Sequence, residues 1–179
     1  MKIAISGAHR TGKTTLLEEL GRALPSYVVV AEPYYLLEEE GHEFAEAPAL
    51  EDFELQLKRS LDLLADSEGD QLFDRCPADF LAYLLTHRDA DAFDLRRWLP
   101  RVRSAMRQLD LVVFVPLEEP DRILVSDPED DDLRRRVDEE LREILLDDRW
   151  DFDVEVIDVT GSPRARARQV LAALAGEAG

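Results

Sequence analysis

Apolar residues along the chain fall into short runs separated by longer stretches of helical spacing. KIAIS (2–6) reads as a first strand, followed by a glycine-containing turn and a helix over about 13–23. YVVVA (27–31) is a second strand, β-branched and expected to be buried on both faces of a parallel sheet. Helical patterns follow over about 34–40 and 49–66, where Leu50, Phe53, Leu57, Leu61 and Leu64 recur on one face. QLFD (71–74), LVVFV (111–115) and VEVIDV (154–159) supply strands three to five. Residues 78–87 and 91–108 read as helices, with Pro77 and Asp91 near their starts, and a last helix begins near Pro163. Strands alternating with helices predict one α/β domain over 1–179, a five-stranded, mainly parallel sheet of order 2-3-1-4-5 with helices on both faces. The stretch SDPEDDDLRRRVDEELREILLDD is charged and poor in apolar residues, so a mobile helical lid is expected over about 117–148.

Composition narrows the partners. The 179 residues include 40 acidic and 22 basic side chains, a formal charge of −18, which argues against nucleic-acid polymers and membrane surfaces. A small anionic ligand is still allowed, because a local cationic pocket can sit inside an acidic surface. No apolar run is long enough to span a bilayer, MKIAISG lacks the pattern of a signal peptide, and the lone Cys76 fits a reducing compartment. A cytoplasmic location is expected; a homodimer is compatible with the sequence but not required by it.

The chemistry is concentrated at the first turn. Gly7-Ala8-His9-Arg10-Thr11-Gly12-Lys13-Thr14 fits G-x-x-x-x-G-K-[ST] at every fixed position, between an apolar strand and the helix TTLLEEL. The glycines let successive amides point into one concavity, and the helix adds its positive end. Lys13, one of only three lysines, supplies a compact charge for phosphates, and the Thr14 hydroxyl is a ligand for Mg²⁺. Residues 7–15 are therefore the candidate phosphate cradle.

Other motifs select among P-loop proteins. No N-K-x-D string is present to read guanine, and Asp66-Ser67-Glu68-Gly69 precedes a strand, as a turn would. Strand three ends QLFDRCP, where motor-type ATPases carry two acids. Asp74 can organise Mg²⁺ or accept a proton, whereas Arg75 suits an anionic group and not the activation of water. The D-R pair resembles that of nucleoside and nucleotide kinases, and DRCPADFLAY resembles the pattern of kinase-like P-loop domains related to ribosylnicotinamide kinase. Glu32-Pro33 is similar to the E-P of deoxynucleoside kinases and the related motif of thymidylate kinases.

The resemblance implies ATP and Mg²⁺ as cofactors and a nucleoside- or nucleotide-like small-molecule acceptor. It implies Glu32 or Asp74 as the base, Gln56 as a base-reading side chain, Arg75 at the acceptor, and Arg134, Arg135 and Arg136 as lid arginines on the transferring phosphoryl group. It also implies that Ser162 and Pro163 pack the donor base. Asp79 and Tyr83 fit either the site or a helix cap and a core aromatic, and Arg164, Arg166 and Arg168 read mainly as surface residues. Regions 34–66 and 84–108, where the acceptor would sit, match no substrate signature. A regulatory nucleotide-binding protein and a simple hydrolase are the alternatives that share the P-loop.

Overall fold

The computed structural model describes residues 1–45, 48–118 and 128–176, the side chains of 128 and 129 excepted. In chain order the elements are β1 (Lys2–Ser6), α1 (Lys13–Ala23), β2 (Val28–Val30), α2 (Pro33–Glu39), α3 (Leu50–Ala65), β3 (Gln71–Asp74), α4 (Pro77–Thr86), α5 (Leu95–Met106), β4 (Leu111–Phe114), α6 (Pro128–Leu145), β5 (Glu155–Asp158) and α7 (Pro163–Gly176). The strands form one sheet of order β2-β3-β1-β4-β5, parallel throughout. The expected topology holds.

Alternation along β1 sends Ile3 and Ile5 to one face and Ala4 to the other. On the first face Leu16, Leu20 and Val170 of α1 and α7 cover β1 and β4. On the second, Leu57, Leu81, Val102 and Val137 bring α3, α4, α5 and α6 against Phe73 and Val112. The carboxyl ends of β1, β2 and β3 therefore open at one rim, where strand–helix turns collect functional side chains.

Three local expectations are corrected. β2 is an edge strand paired only with β3, and Val28 and Val29 are about half exposed, so it is not buried on both faces. The helix expected over 91–108 begins at Leu95, because the Asp94 carboxylate caps it by accepting from the Arg97 amide at 3.3 Å. Asp91 lies in a short 3-10 turn, Ala90–Ala92.

The third correction concerns how many core residues the charged stretch near the end supplies. Residues 119–127 of the expected lid lie outside the described residues, but α6 is a core helix: Val137, Leu141, Ile144 and Leu145 are almost fully buried. Their spacing places them on one stripe, packed against α4. Leu141→Ala should therefore lower the unfolding free energy by about 3 kcal/mol in a denaturant titration. A loss below about 1 kcal/mol would mean that α6 is detachable from the core.

Candidate functional site

The P-loop leaves β1 at Gly7 and enters α1 at Lys13. A Cβ on Gly7 would lie 2.5 Å from the carbonyl oxygen of Val115, so only glycine lets the loop start this close to the end of β4. Gly12 has φ +87°, the left-handed region, and reverses the chain into the helix.

Each carbonyl from Gly7 to Thr11 receives a hydrogen bond from a cationic side chain. Gly7 O accepts from Arg75 Nη1 at 3.1 Å, and Ala8 O from Lys13 Nζ at 2.6 Å. Arg134 bridges two consecutive residues of the loop, donating through Nε to His9 O and through Nη2 to Arg10 O, both at 3.0 Å. Thr11 O accepts from Arg166 Nη1 at 2.6 Å. The Gly7 and His9 amides donate to Asp79 and Tyr83, and with the carbonyls held by cations the amides of Ala8, Arg10, Thr11 and Gly12 are the loop's candidate donors to phosphate oxygens.

Asp79, fully buried on α4, ties the loop to the end of β3. Its Oδ1 accepts from the Gly7 amide at 3.0 Å and lies 3.4 Å from Arg75 Nη1; its Oδ2 accepts from the Cys76 amide at 3.0 Å and from Cys76 Sγ at 3.3 Å. Burial pushes the Cys76 thiol well above its ordinary range. Tyr83 Oη accepts from the His9 amide at 3.0 Å and sits 2.9 Å from His9 Nδ1, while Phe53 stacks on its ring at 5.0 Å. Asp130 of α6 pairs with His9 Nε2 at 2.8 Å and with Arg10 Nη1 at 3.0 Å. Both Asp79 and Tyr83 thus support the P-loop from α4.

At the rim, Arg75 leaves β3 with φ +77°, a left-handed conformation that costs a non-glycine residue about 1–2 kcal/mol. That turn directs its guanidinium across the sheet end, where Nε bonds Glu32 Oε1. Glu32 precedes α2 with Pro33 in the first helical turn, so the E-P motif and the D-R motif meet as one ion pair. Asp74 lies beside them, buried, with its Oδ1 unmatched by any hydrogen bond. Desolvation, then the neighbouring Glu32 charge, raises its pKa from 3.8 to about 6. Lys13 moves the other way: burial, then the Arg75 charge, lowers its pKa to about 7. Thr14, Glu32 and Asp74 line one cavity of about 470 Å³ between α1 and β2.

On the other flank of the loop is a cleft of about 210 Å³, walled by Thr15, Pro116, Leu117, Ser162 and Pro163. Arg10, Thr11, Gly12, Arg134 and Arg166 also line it, with Glu118 and Gly161, so the loop after β5 meets the P-loop. Arg166, expected at the surface, is buried, and its Nη2 donates to Glu118 Oε1 at 3.1 Å. A run of alternating arginines (164, 166, 168) gave no sign of which one turns inward. Arg134 is also buried, whereas Arg135 and Arg136 are about half exposed and pair with Asp131 at 3.0 Å and Asp132 at 2.9 Å. Gln56 is buried and donates to Asp52 O within α3 at 3.2 Å. Among the described residues no cluster of three His, Cys, Asp or Glu forms a metal centre, and no helix is long and apolar enough to cross a membrane.

Comparison with known proteins agrees with this geometry. Three solved structures superpose along nearly their whole length. Deoxyadenosine kinase from M. mycoides has a TM-score of 0.67 at 15% identity, covering 98% of this chain and 99% of that one. Thymidylate kinase from Candida albicans gives 0.64 at 16% identity, with 98% and 91% covered. Shikimate kinase from Aquifex aeolicus gives 0.59 at 18%, with 99% and 98% covered. No curated protein matches the chain in sequence. The profile of an AAA domain family matches residues 2–166, so the chain belongs to that family and carries the fold shared by P-loop small-molecule kinases.

Proposed function

We propose that the protein transfers the γ-phosphoryl group of ATP to a hydroxyl or phosphate of a small nucleoside- or nucleotide-like acceptor. The observation that carries this reading is the Glu32–Arg75 pair at the rim, next to the P-loop. An arginine clamped by a carboxylate suits the positioning of an organic acceptor, with the carboxylate beside it to take the acceptor's proton.

The P-loop amides and Lys13 hold the β and γ phosphates, and the triphosphate charge favours the ammonium form of a lysine whose pKa is otherwise about 7. Thr14 and Asp74 suit Mg²⁺: they share one cavity, and the unmatched buried oxygen of Asp74 is a hard ligand of the kind that ion prefers. When bound, Mg²⁺ neutralises charge on the β and γ oxygens. Glu32 takes the acceptor's proton. Its side chain is 18% exposed in the cavity it shares with Asp74, which is buried. Arg75 stabilises the transferring phosphoryl group, while Arg134 shapes the loop through its carbonyls and Arg135 and Arg136, paired with Asp131 and Asp132, are left without a part in the transfer.

An acceptor screen with γ-labelled ATP tests the reaction class. Label should appear on a nucleoside or nucleotide; release to water alone, under every condition, would refute the kinase reading. Glu32→Gln, which keeps a hydrogen-bond acceptor towards Arg75, should lower kcat by about 100-fold or more and leave the Kd for ATP within about twofold.

Asp74 yields a second test. Its folded-state pKa lies above the ordinary value, so charging it opposes folding: the cost is absent below about pH 4, grows between pH 4 and 6, and is complete above 6. Asp74→Asn should therefore stabilise the nucleotide-free protein by on the order of 2 kcal/mol at pH 7. The gain should disappear near pH 4, while Mg²⁺-dependent turnover is lost at every pH.

A further inference from the structure

We infer that Glu118 and Arg166 form a strap through which an occupied base cleft sets the shape of the phosphate loop. Both are then positioning residues for the donor, an inference that rests on the loop's holding a nucleoside triphosphate.

The strap runs across three separate segments. Arg166 projects from α7 and places Nη1 on Thr11 O at 2.6 Å, inside the P-loop. Its Nη2 meets Glu118 Oε1 at 3.1 Å, just beyond β4. The same Oε1 accepts from the Gly161 amide, in the turn between β5 and α7. Thr11, Arg166, Glu118 and Gly161 all line the one 210 Å³ cleft. The guanidinium also lies close against the loop, since a Cβ on Gly12 would stand 3.2 Å from Nη1.

This arrangement differs from an ordinary surface ion pair. The Arg166 and Glu118 side chains are 6% and 14% exposed, so their attraction is little screened and sensitive to the remaining water. A planar heterocycle entering between Leu117 and Pro163 removes that water and strengthens the pair. A firmer pair fixes Nη1 on Thr11 O, and an outward Thr11 carbonyl fixes the neighbouring amides towards phosphate. The cleft holds a ring system and not a whole nucleotide, so a bare triphosphate chain occupies the loop without bracing the strap.

The test compares two probes, Mg²⁺–ATP and Mg²⁺–tripolyphosphate, by titration calorimetry on the full chain. In the unaltered protein ATP should bind the more tightly. Glu118→Gln should reduce the ratio of the two dissociation constants about tenfold, with tripolyphosphate binding changed by about threefold or less. Arg166→Lys should reduce the ratio by a similar factor while also weakening tripolyphosphate, because Arg166 itself holds Thr11 O. The double variant should lose no more than either single one. Arg166→Gln, which keeps a donor towards Thr11 without the charge, repeats the second arm if Arg166→Lys fails to fold. Equal weakening of both probes would make the strap a stability element and overturn the proposal. A ratio altered by Glu118→Gln but not by the Arg166 variants would reduce Glu118 to a direct base contact, and would also overturn it. Failure of the unaltered protein to bind either probe would remove the donor site itself, and the strap with it.

Discussion

A loop that turns its amides inward must turn its carbonyls outward, and buried carbonyls without donors are costly. That constraint organises this protein. The five carbonyls from Gly7 to Thr11 are met by Arg75, Lys13, two bonds from Arg134, and Arg166, which come from the end of β3, α1, α6 and α7. Four cations buried within one small region demand anions in turn, and Asp79, Glu32, Asp74 and Glu118 are placed there. A chain of formal charge −18 thus gathers four buried cations around one loop and sets carboxylates among them, with Asp74 alone of those four acids keeping an unmatched oxygen.

The balance is not even throughout. Asp74 and Lys13 are displaced towards their neutral forms, mainly by burial, whereas Arg75 is held in its charged form by Glu32 and Asp79 against the same desolvation. The permanent charge is the structural one, and the two groups next to the predicted phosphate and metal positions are left with unfavourable ionisation. Such a site is suited to binding a ligand that carries both a polyanion and a divalent cation, since each would relieve one of the two residues.

Much of the fold was legible because its signals are local. Strand-length apolar runs, Pro77 and Pro163 at helix starts, and the glycine pattern of the P-loop each depend on adjacent residues. What escaped depends on distant ones. Val28 and Val29 look like a buried strand, and only the sheet order, which puts β2 at the edge, exposes them. The apolar stripe of α6 is regular but embedded among acids and arginines, so average polarity concealed four core positions. Arg166 was missed for a different reason: its partners, Thr11 and Glu118, lie 155 and 48 residues away, and nothing beside it in the chain marks it out from Arg164 or Arg168.

The single sulfhydryl of the chain occupies an informative place. Cys76 stands at the start of α4, hidden, and shares Asp79 with the first glycine of the P-loop. No other cysteine competes for a thiol reagent, and this one stays protonated and shielded while that junction is closed. Its rate of alkylation is consequently a native clock for how often the loop and α4 part company, and the clock needs no engineered label.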